Sequence, residues 1–515
     1  MAADRRIRSI VILGGGTAGW MTAAALSKVN DPRQFEITLI ESDEIGTIGV
    51  GEATIPTIHW FNQLVGLDEA EFMRATQATY KLGIEFPDWA GPSSTYLHPF
   101  GRYGGAHDQS MFYHRWIRAR LGGLTDSYEA YSLTTQAARA GKFSPPSRDP
   151  NSLLSTLGYA FHFDASLYAR FLRRRAEAAG VQRREGKVVR IDQDPGSGFV
   201  TALTTDKGEV FAGDLFIDCS GIRGVLIEQT LKVGFDDWSH WLPCDRALAV
   251  PSENGGPPHP FTRATARRAG WQWRIPLQHR TGNGHVYCSH FMSDDEAARV
   301  LLDNLAGQPL AEPRPIRFTA GTRSKAWDKN VVAIGLSAGF LEPLESTSIH
   351  LIQSGIAKLL SLFPARDCDP FTAEQFNRVF RADIESARDF ITLHYHANGY
   401  GKEPLWEHCR HMSLPEGLDY KIEHFRRTGR IVLSSDELFR EASWFAVFMG
   451  QGIHPRDYNP LVDAYSASEN SAHLARLKTS IAEMCARLPA HQDYLETNHR
   501  LANSSHKPVE PMQAL

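Results

Sequence analysis

The chain has 515 residues, of which 42% are hydrophobic and 22% charged. These proportions describe a folded globular protein and exclude a disordered one. A net charge of −4 and a pI of about 6.6 leave no basic excess for nucleic acid or another polyanion.

The cysteines at 219, 244, 288, 368, 409 and 485 form no C-x-x-C pair, and no His/Cys group has zinc spacing. They read as buried thiols in a reducing compartment, and no metal is expected. No apolar run reaches the roughly 18 residues of a membrane span. Arg5, Arg6 and Arg8 precede an apolar stretch, as in a signal peptide. That stretch carries Gly14-Gly15-Gly16, however, and reads as strand, turn and helix. The expectation is a cytoplasmic protein without a membrane partner.

In chain order, Ile7 to Leu13 predicts a strand, Gly14 to Gly19 a turn and Trp20 to Val29 an Ala-rich helix. Glu36 to Glu41 predicts a second strand, which completes a βαβ unit. Glu71 to Leu82 predicts a helix, Gly91 to Gly105 a loop, and 141–151 an exposed linker or lid. Leu167 to Ala179 is an Arg-rich helix, followed by strands from Val181 to Val210 with turns at Pro195-Gly196 and Lys207-Gly208. Asp214 to Cys219 is an apolar strand, residues 270–292 are sheet, and Val331 to Ile334 is a buried strand leading through a loop into a helix ending at Leu362. Beyond about 370 the chain is helical, most clearly over Phe371–Leu393 and Ala472–Arg487. Ser504 to Leu515 reads as a loose tail.

Gly14-Gly15-Gly16-Thr17-Ala18-Gly19 satisfies G-x-G-x-x-G in its proper context, after a strand and opening a helix. Gly14 permits the tight turn, Gly16 the approach of a pyrophosphate and Gly19 close helix–strand packing. The N-terminus of the helix that follows then faces the phosphates. Glu41 ends the next strand about 20 residues on, where an acidic side chain accepts from ribose hydroxyls. The unit alone does not choose between FAD and NAD.

Two further segments belong together. Gly270-Trp271-Gln272-Trp273-Arg274-Ile275-Pro276 sets two indoles at i and i+2, on one face of a strand. Phe340-Leu341-Glu342-Pro343-Leu344-Glu345-Ser346-Thr347-Ser348 sets a carboxylate beside hydroxyl residues in a Pro-punctuated loop. Together with the Gly14 turn, this set resembles the flavin-dependent halogenases of the tryptophan halogenase family, along nearly the whole chain.

The resemblance implies an α/β fold. It comprises an FAD-binding Rossmann-like domain of the glutathione reductase/hydroxylase kind, a sheet-rich substrate region and a C-terminal helical subdomain. Residues 1–365 would form the FAD-binding and halogenation module, with pocket insertions near 81–160 and 235–320. Residues 366–515 would cover the substrate site. FAD, used as FADH2, would meet Gly14, Gly16, Thr17, Ala18, Gly19, Glu41, Val50, Ala53, Val188, Leu336 and Ile349. Halide (bromide or chloride) and O2 are the implied co-substrates, and a separate flavin reductase the implied partner of a monomer or homodimer.

By the same resemblance Lys81 is the catalytic lysine, holding hypohalous acid by a hydrogen bond or forming a haloamine. Glu345 is the glutamate facing it, which orients that electrophile or takes the ring proton. Ser346, Thr347 and Ser348 carry the halide, although relatives often have Gly where Ser348 stands. Trp271 and Trp273 separate flavin from substrate, and His98 and Phe100, with Trp444 and Phe445, line the substrate pocket. Trp444 and Phe445 stand where free-tryptophan halogenases present a tyrosine pair. Burying a zwitterion needs polar partners, so an indole-like or larger electron-rich aromatic is expected. Two alternatives are an FAD-dependent aromatic hydroxylase and a catalytically silent flavin protein. Gly335-Leu336 replaces the Gly-Asp pair of the hydroxylases, and the intact Lys81, Glu345, Trp271 and Trp273 argue against silence.

Overall fold

The N-terminal run Ser9–Leu13 is apolar at almost every position because it is covered on both faces, as a central parallel strand must be. In the computed structural model it lies between Glu36–Glu41 and Leu215–Asp218, parallel to both. Val331–Ala333 and Gln182–Glu185 extend this sheet in parallel on either side, and Trp327–Asp328 closes one edge antiparallel. The structure describes residues 5–29, 35–44, 51–108, 111–434 and 437–499. Successive connections leave the first strand in opposite directions, which opens a crevice at the strands' carboxyl ends.

The crevice is shaped by glycine. Gly14 has φ +111°, and a Cβ there would sit 2.3 Å from the Cys219 carbonyl oxygen. A Cβ on Gly19 would sit 1.8 Å from the carbonyl oxygen of Gly14. The helix Thr17–Val29 therefore starts three residues before the expected Trp20, directly over the turn.

A seven-stranded sheet forms the second layer, in the order Arg314–Arg317, Arg246–Ser252, Thr281–Tyr287, Gly270–Pro276, Thr262–Arg267, Gly83–Pro87, Thr95–Pro99. The tryptophan strand Gly270–Pro276 is its middle member, antiparallel to both neighbours. A three-stranded sheet bridges the two layers, with Ala160–Asp164 between Gly51–Ala53 and Thr79–Lys81. The helices Pro370–His396, Pro404–His411, Glu416–Thr428, Glu441–Gly450, Ala467–Arg487 and His491–His499 close over this assembly. Among the described residues no helix is long and apolar enough to cross a membrane.

Three expectations are corrected. The helix expected over Glu71–Leu82 runs Glu69–Thr76 and ends on Gln77 in the left-handed region. Thr79 and Tyr80, β-favouring residues, then pair with Ala160–Asp164, which puts Lys81 on a strand. The loop expected over Gly91–Gly105 contains the strand Thr95–Pro99, where pairing with Gly83–Pro87 overrides the flanking Gly and Ser. The lid expected at 141–151 is anchored, because Phe143 is fully buried and stacks on Tyr80 with ring centroids 3.8 Å apart. The tail at Ser504–Leu515, and Val50, lie outside the described residues.

The anchor is testable. Phe143→Ala removes a buried ring packed against Tyr80 on the strand that carries Lys81 and is expected to cost about 3 kcal/mol of apparent stability in urea unfolding. A change within error would show that the segment is loosely held.

Candidate active site

Lys81 is completely buried. Its Nζ donates to the Thr54 carbonyl at 3.0 Å and to Ser346 Oγ at 2.7 Å, and it lies 4.9 Å from the centre of the Phe100 ring. Burial pushes the ammonium down to about 7, against the upward pull of Glu345. Thr54 follows the strand Gly51–Ala53, and Ser346 sits in the loop before the helix Ser348–Ser361. The bridging sheet thus brings three distant segments onto one nitrogen.

Ser346 has φ +58°, a left-handed conformation that costs energy in a residue other than glycine and often marks a functional turn. It turns the chain so that Thr347 stands at the N-cap of the following helix, where its side chain makes no capping hydrogen bond. Thr347 Oγ1 is buried without a hydrogen-bond partner among the described residues. A helix N-terminus with open donors and an unsatisfied hydroxyl is suited to an anion.

Glu345 does not pair directly with Lys81. Its Oε2 accepts from His98 Nδ1 at 2.8 Å, and Oε1 lies 2.7 Å from His394 Nε2. Burial raises this carboxyl, but the two imidazoles outweigh that effect and bring it to about 2. His394 is held in turn by Tyr96 Oη, 2.9 Å from its Nδ1, and by Gln451, whose Nε2 donates to the His394 carbonyl at 2.9 Å.

Trp271 and Trp273 are both buried, with ring centroids 6.0 Å apart. Gly284 lies opposite Trp273, where a Cβ would fall 2.0 Å from the indole. The Trp271 N–H donates to Glu342 Oε2 at 2.7 Å, and the Tyr395 hydroxyl donates to the same oxygen at 2.7 Å. Burial pushes the Glu342 carboxyl up to about 7. Glu342 therefore ties the tryptophan strand to the loop carrying Glu345 and Ser346.

The other expected pocket residues divide. His98 and Phe100 stand edge to face at 6.2 Å, and His98 also meets Phe390 and Phe439. Trp444 packs edge-on against Phe390 at 5.0 Å, one ring away from His98. Phe445, its neighbour on the helix Glu441–Gly450, goes elsewhere, into a cluster of Tyr103, Tyr113, Trp116 and Tyr128.

The nucleotide residues surround the crevice. A Cβ on Gly16 would meet nothing within 4 Å, so the turn is open where a pyrophosphate needs access. Glu41 is pinned beside Gly15 and accepts from Trp20 Nε1 at 3.3 Å, with Arg183 on its other oxygen. Gly335, next to Leu336, approaches Ala18 so closely that a Cβ would lie 2.8 Å away. Ile349 is buried in the first turn of the helix Ser348–Ser361, and Ala53 precedes the Thr54 carbonyl that holds Lys81. Val188 begins the strand Val188–Gln193, two residues after Gly186 N bonds to the Glu41 carbonyl. An open turn at Gly16 beside the start of the helix Thr17–Val29 fits the pyrophosphate of a dinucleotide.

Sequence reasoning missed Thr54, Glu342, Tyr96, His394 and Gln451. Glu342 lay inside a motif already singled out. A His on a long helix gives no local sign that it faces a carboxylate from another segment.

The tryptophan halogenase family model matches residues 9–467. Tryptophan 6-halogenase ThaL of Streptomyces albogriseolus is 34% identical over 96% of this chain and 99% of its own. Xcc4156, a flavin-dependent halogenase from Xanthomonas campestris, superposes with a TM-score of 0.93 at 48% identity, covering 97% of this chain and 100% of its own. BrvH, a flavin-dependent halogenase from Brevundimonas sp. BAL3, gives a TM-score of 0.93 at 48% identity, covering 96% and 100%. With the family model matching most of the chain and solved halogenases superposing along nearly its whole length, the chain belongs to the tryptophan halogenase family and is a flavin-dependent halogenase.

Proposed function

We propose that the protein halogenates an electron-rich aromatic such as an indole, using FADH2 from a separate reductase together with O2 and bromide or chloride. The observation that carries this reading is the buried Lys81 ammonium, fixed between the Thr54 carbonyl and Ser346 Oγ and facing Phe100. Reduced FAD, with O2 and halide, supplies hypohalous acid. Gly14, Gly16, Thr17, Ala18, Gly19, Glu41, Ala53, Val188, Leu336 and Ile349 hold the dinucleotide, and Ser346, Thr347 and Ser348 hold the halide at the open helix end. Trp271 and Trp273 wall the aromatic substrate off from the crevice.

Two of the three N–H bonds of the Lys81 ammonium are committed to protein, which leaves one for the hypohalous acid. An acid near pKa 7 can protonate the oxygen that leaves as the halogen is transferred. His98, Phe100 and Trp444 offer rings and few charges, which suits an indole better than a free amino acid. The apolar surroundings also support the halogenase reading over a hydroxylase, since they keep water from the electrophile.

The test is mass spectrometry of indole incubated with the protein, FAD, a flavin reductase, NADH and bromide or chloride in air. A product with the halogen isotope pattern is expected, and hydroxylated product would favour the monooxygenase. Lys81→Ala is expected to lower halogenated product by at least about 10²-fold with FAD binding retained. Glu345→Gln should reduce turnover less completely, because the amide keeps part of the hydrogen bonding.

Stability carries an independent signature of Lys81. Its value near 7 in the folded chain lies below the ordinary 10.5, so the unfolded chain binds the extra proton between those limits. Wild-type stability therefore gains from this group as pH rises from 7 toward 10.5, a gain that Lys81→Met lacks. Urea unfolding of both proteins across that range should show the difference moving in favour of wild type. A flat difference would mean an ordinary, solvated lysine.

A further inference from the structure

Both oxygens of the Glu345 carboxylate are occupied by imidazoles. His98 Nδ1 is 2.8 Å from Oε2 and His394 Nε2 is 2.7 Å from Oε1, and all three side chains are at most 2% exposed. A carboxylate only accepts, so the contact at Oε2 fixes the proton of neutral His98 on Nδ1. In that neutral form Nε2 carries a lone pair, and it makes no hydrogen bond among the described residues.

Phe100 links the His98 ring to the buried lysine. The His98 ring stands edge-on to Phe100 at 6.2 Å, and Lys81 lies 4.9 Å over the same Phe100 ring. Lys81 bonds Ser346, the residue after Glu345, so the lysine and the imidazole approach Phe100 from neighbouring positions. Phe390 and Phe439 also pack against the His98 ring, at 5.6 and 6.1 Å between centroids.

The far side of Glu345 is closed. His394 stacks on Phe86 at 4.6 Å and lies edge-on to Trp89 at 5.8 Å. Its Nδ1 contacts Tyr96 Oη, which reaches Gln451 Oε1 at 3.2 Å. The Gln451 amide is oriented by its donation to the His394 carbonyl, so this chain of groups is fixed rather than freely rotating.

Resting on the halogenase reading, we propose that His98 Nε2 is the base that removes the ring proton during halogenation, and that Glu345 acts through it. Glu345 and His394 are then positioning residues, which fix the tautomer of His98 and face the imidazolium once it forms. The step balances. A ring electron pair forms the carbon–halogen bond, the halogen–oxygen bond of hypohalous acid breaks, and the oxygen leaves as water with a proton from the Lys81 ammonium. The ring C–H bond then breaks, its electron pair restores aromaticity, and its proton goes to His98 Nε2. Lys81 and His98 return to their starting states by exchange with solvent.

Two measurements test this. The first needs no turnover: two-bond 1H–15N spectra of 15N-histidine-labelled protein at neutral pH, with His98 assigned by its absence in His98→Gln. The Nδ1–H tautomer is expected in wild type, with admixture of Nε2–H in Glu345→Gln. An Nε2–H tautomer in wild type would overturn the proposal.

The second compares turnover of indole and ring-deuterated indole. His98→Gln retains an amide donor toward Glu345 but has no basic nitrogen. It is expected to lower turnover by about 10²-fold and to develop a deuterium isotope effect that wild type lacks, because C–H cleavage becomes limiting. An isotope effect that appears in Glu345→Gln and not in His98→Gln would make Glu345 the direct base and sink the proposal. If wild type yields no haloindole, the choice of indole as substrate fails while the tautomer still decides the role of His98.

Discussion

A lysine charge held inside the protein is the constraint around which the rest is arranged. Moving an ammonium out of water is costly unless polar partners replace its hydration. Here the replacements are a backbone carbonyl and a serine hydroxyl from two other segments, with an aromatic face alongside. Each must arrive at the right place, so the bridging sheet, the left-handed turn at Ser346 and the strand Thr79–Lys81 share one geometric requirement. Burial also turns an ordinary amine into a proton donor near neutral pH.

The same economy appears in the loop from Gly339 to Ser348. Within a few residues it supplies Glu342 to the Trp271 N–H, Glu345 to two imidazoles and Ser346 to Lys81. Its last residues then open a helix whose N-terminal donors have no side-chain cap. A displacement of this loop would disturb the tryptophan wall, the carboxylate and the lysine together. Tyr395 and His394, adjacent on the helix Pro370–His396, grip its two carboxylates separately. Through them the C-terminal helices, besides covering the sheets, fix the chemistry beneath.

Halogenation of an aromatic ring requires a held electrophile, a proton donor for the departing oxygen and an acceptor for the ring proton. The strand Gly51–Ala53 runs directly into Thr54, whose carbonyl holds the lysine.

Local patterns in the sequence were enough for the βαβ start and its glycine turn, because an apolar strand, G-x-G-x-x-G and a following acidic residue are each determined by neighbours in the chain. The tryptophan strand was legible from its i, i+2 spacing, whereas Lys81 and Glu345 were singled out by the family resemblance alone. Lys81 was nonetheless placed at the end of a helix, since the pairing of Thr79–Lys81 with Ala160–Asp164 is a long-range contact that overrides local propensity. Phe143 read as part of a polar lid because Ser, Pro and Gly surround it, and only the stack on Tyr80 shows it as core. Trp444 and Phe445 looked like a pair, yet adjacent positions on a helix point in different directions and join different clusters. Chemical identity was thus written in short segments. The partners of Glu345, and with them the tautomer of His98, were decided by tertiary structure, because hydrogen bonds between distant segments leave no trace in local sequence.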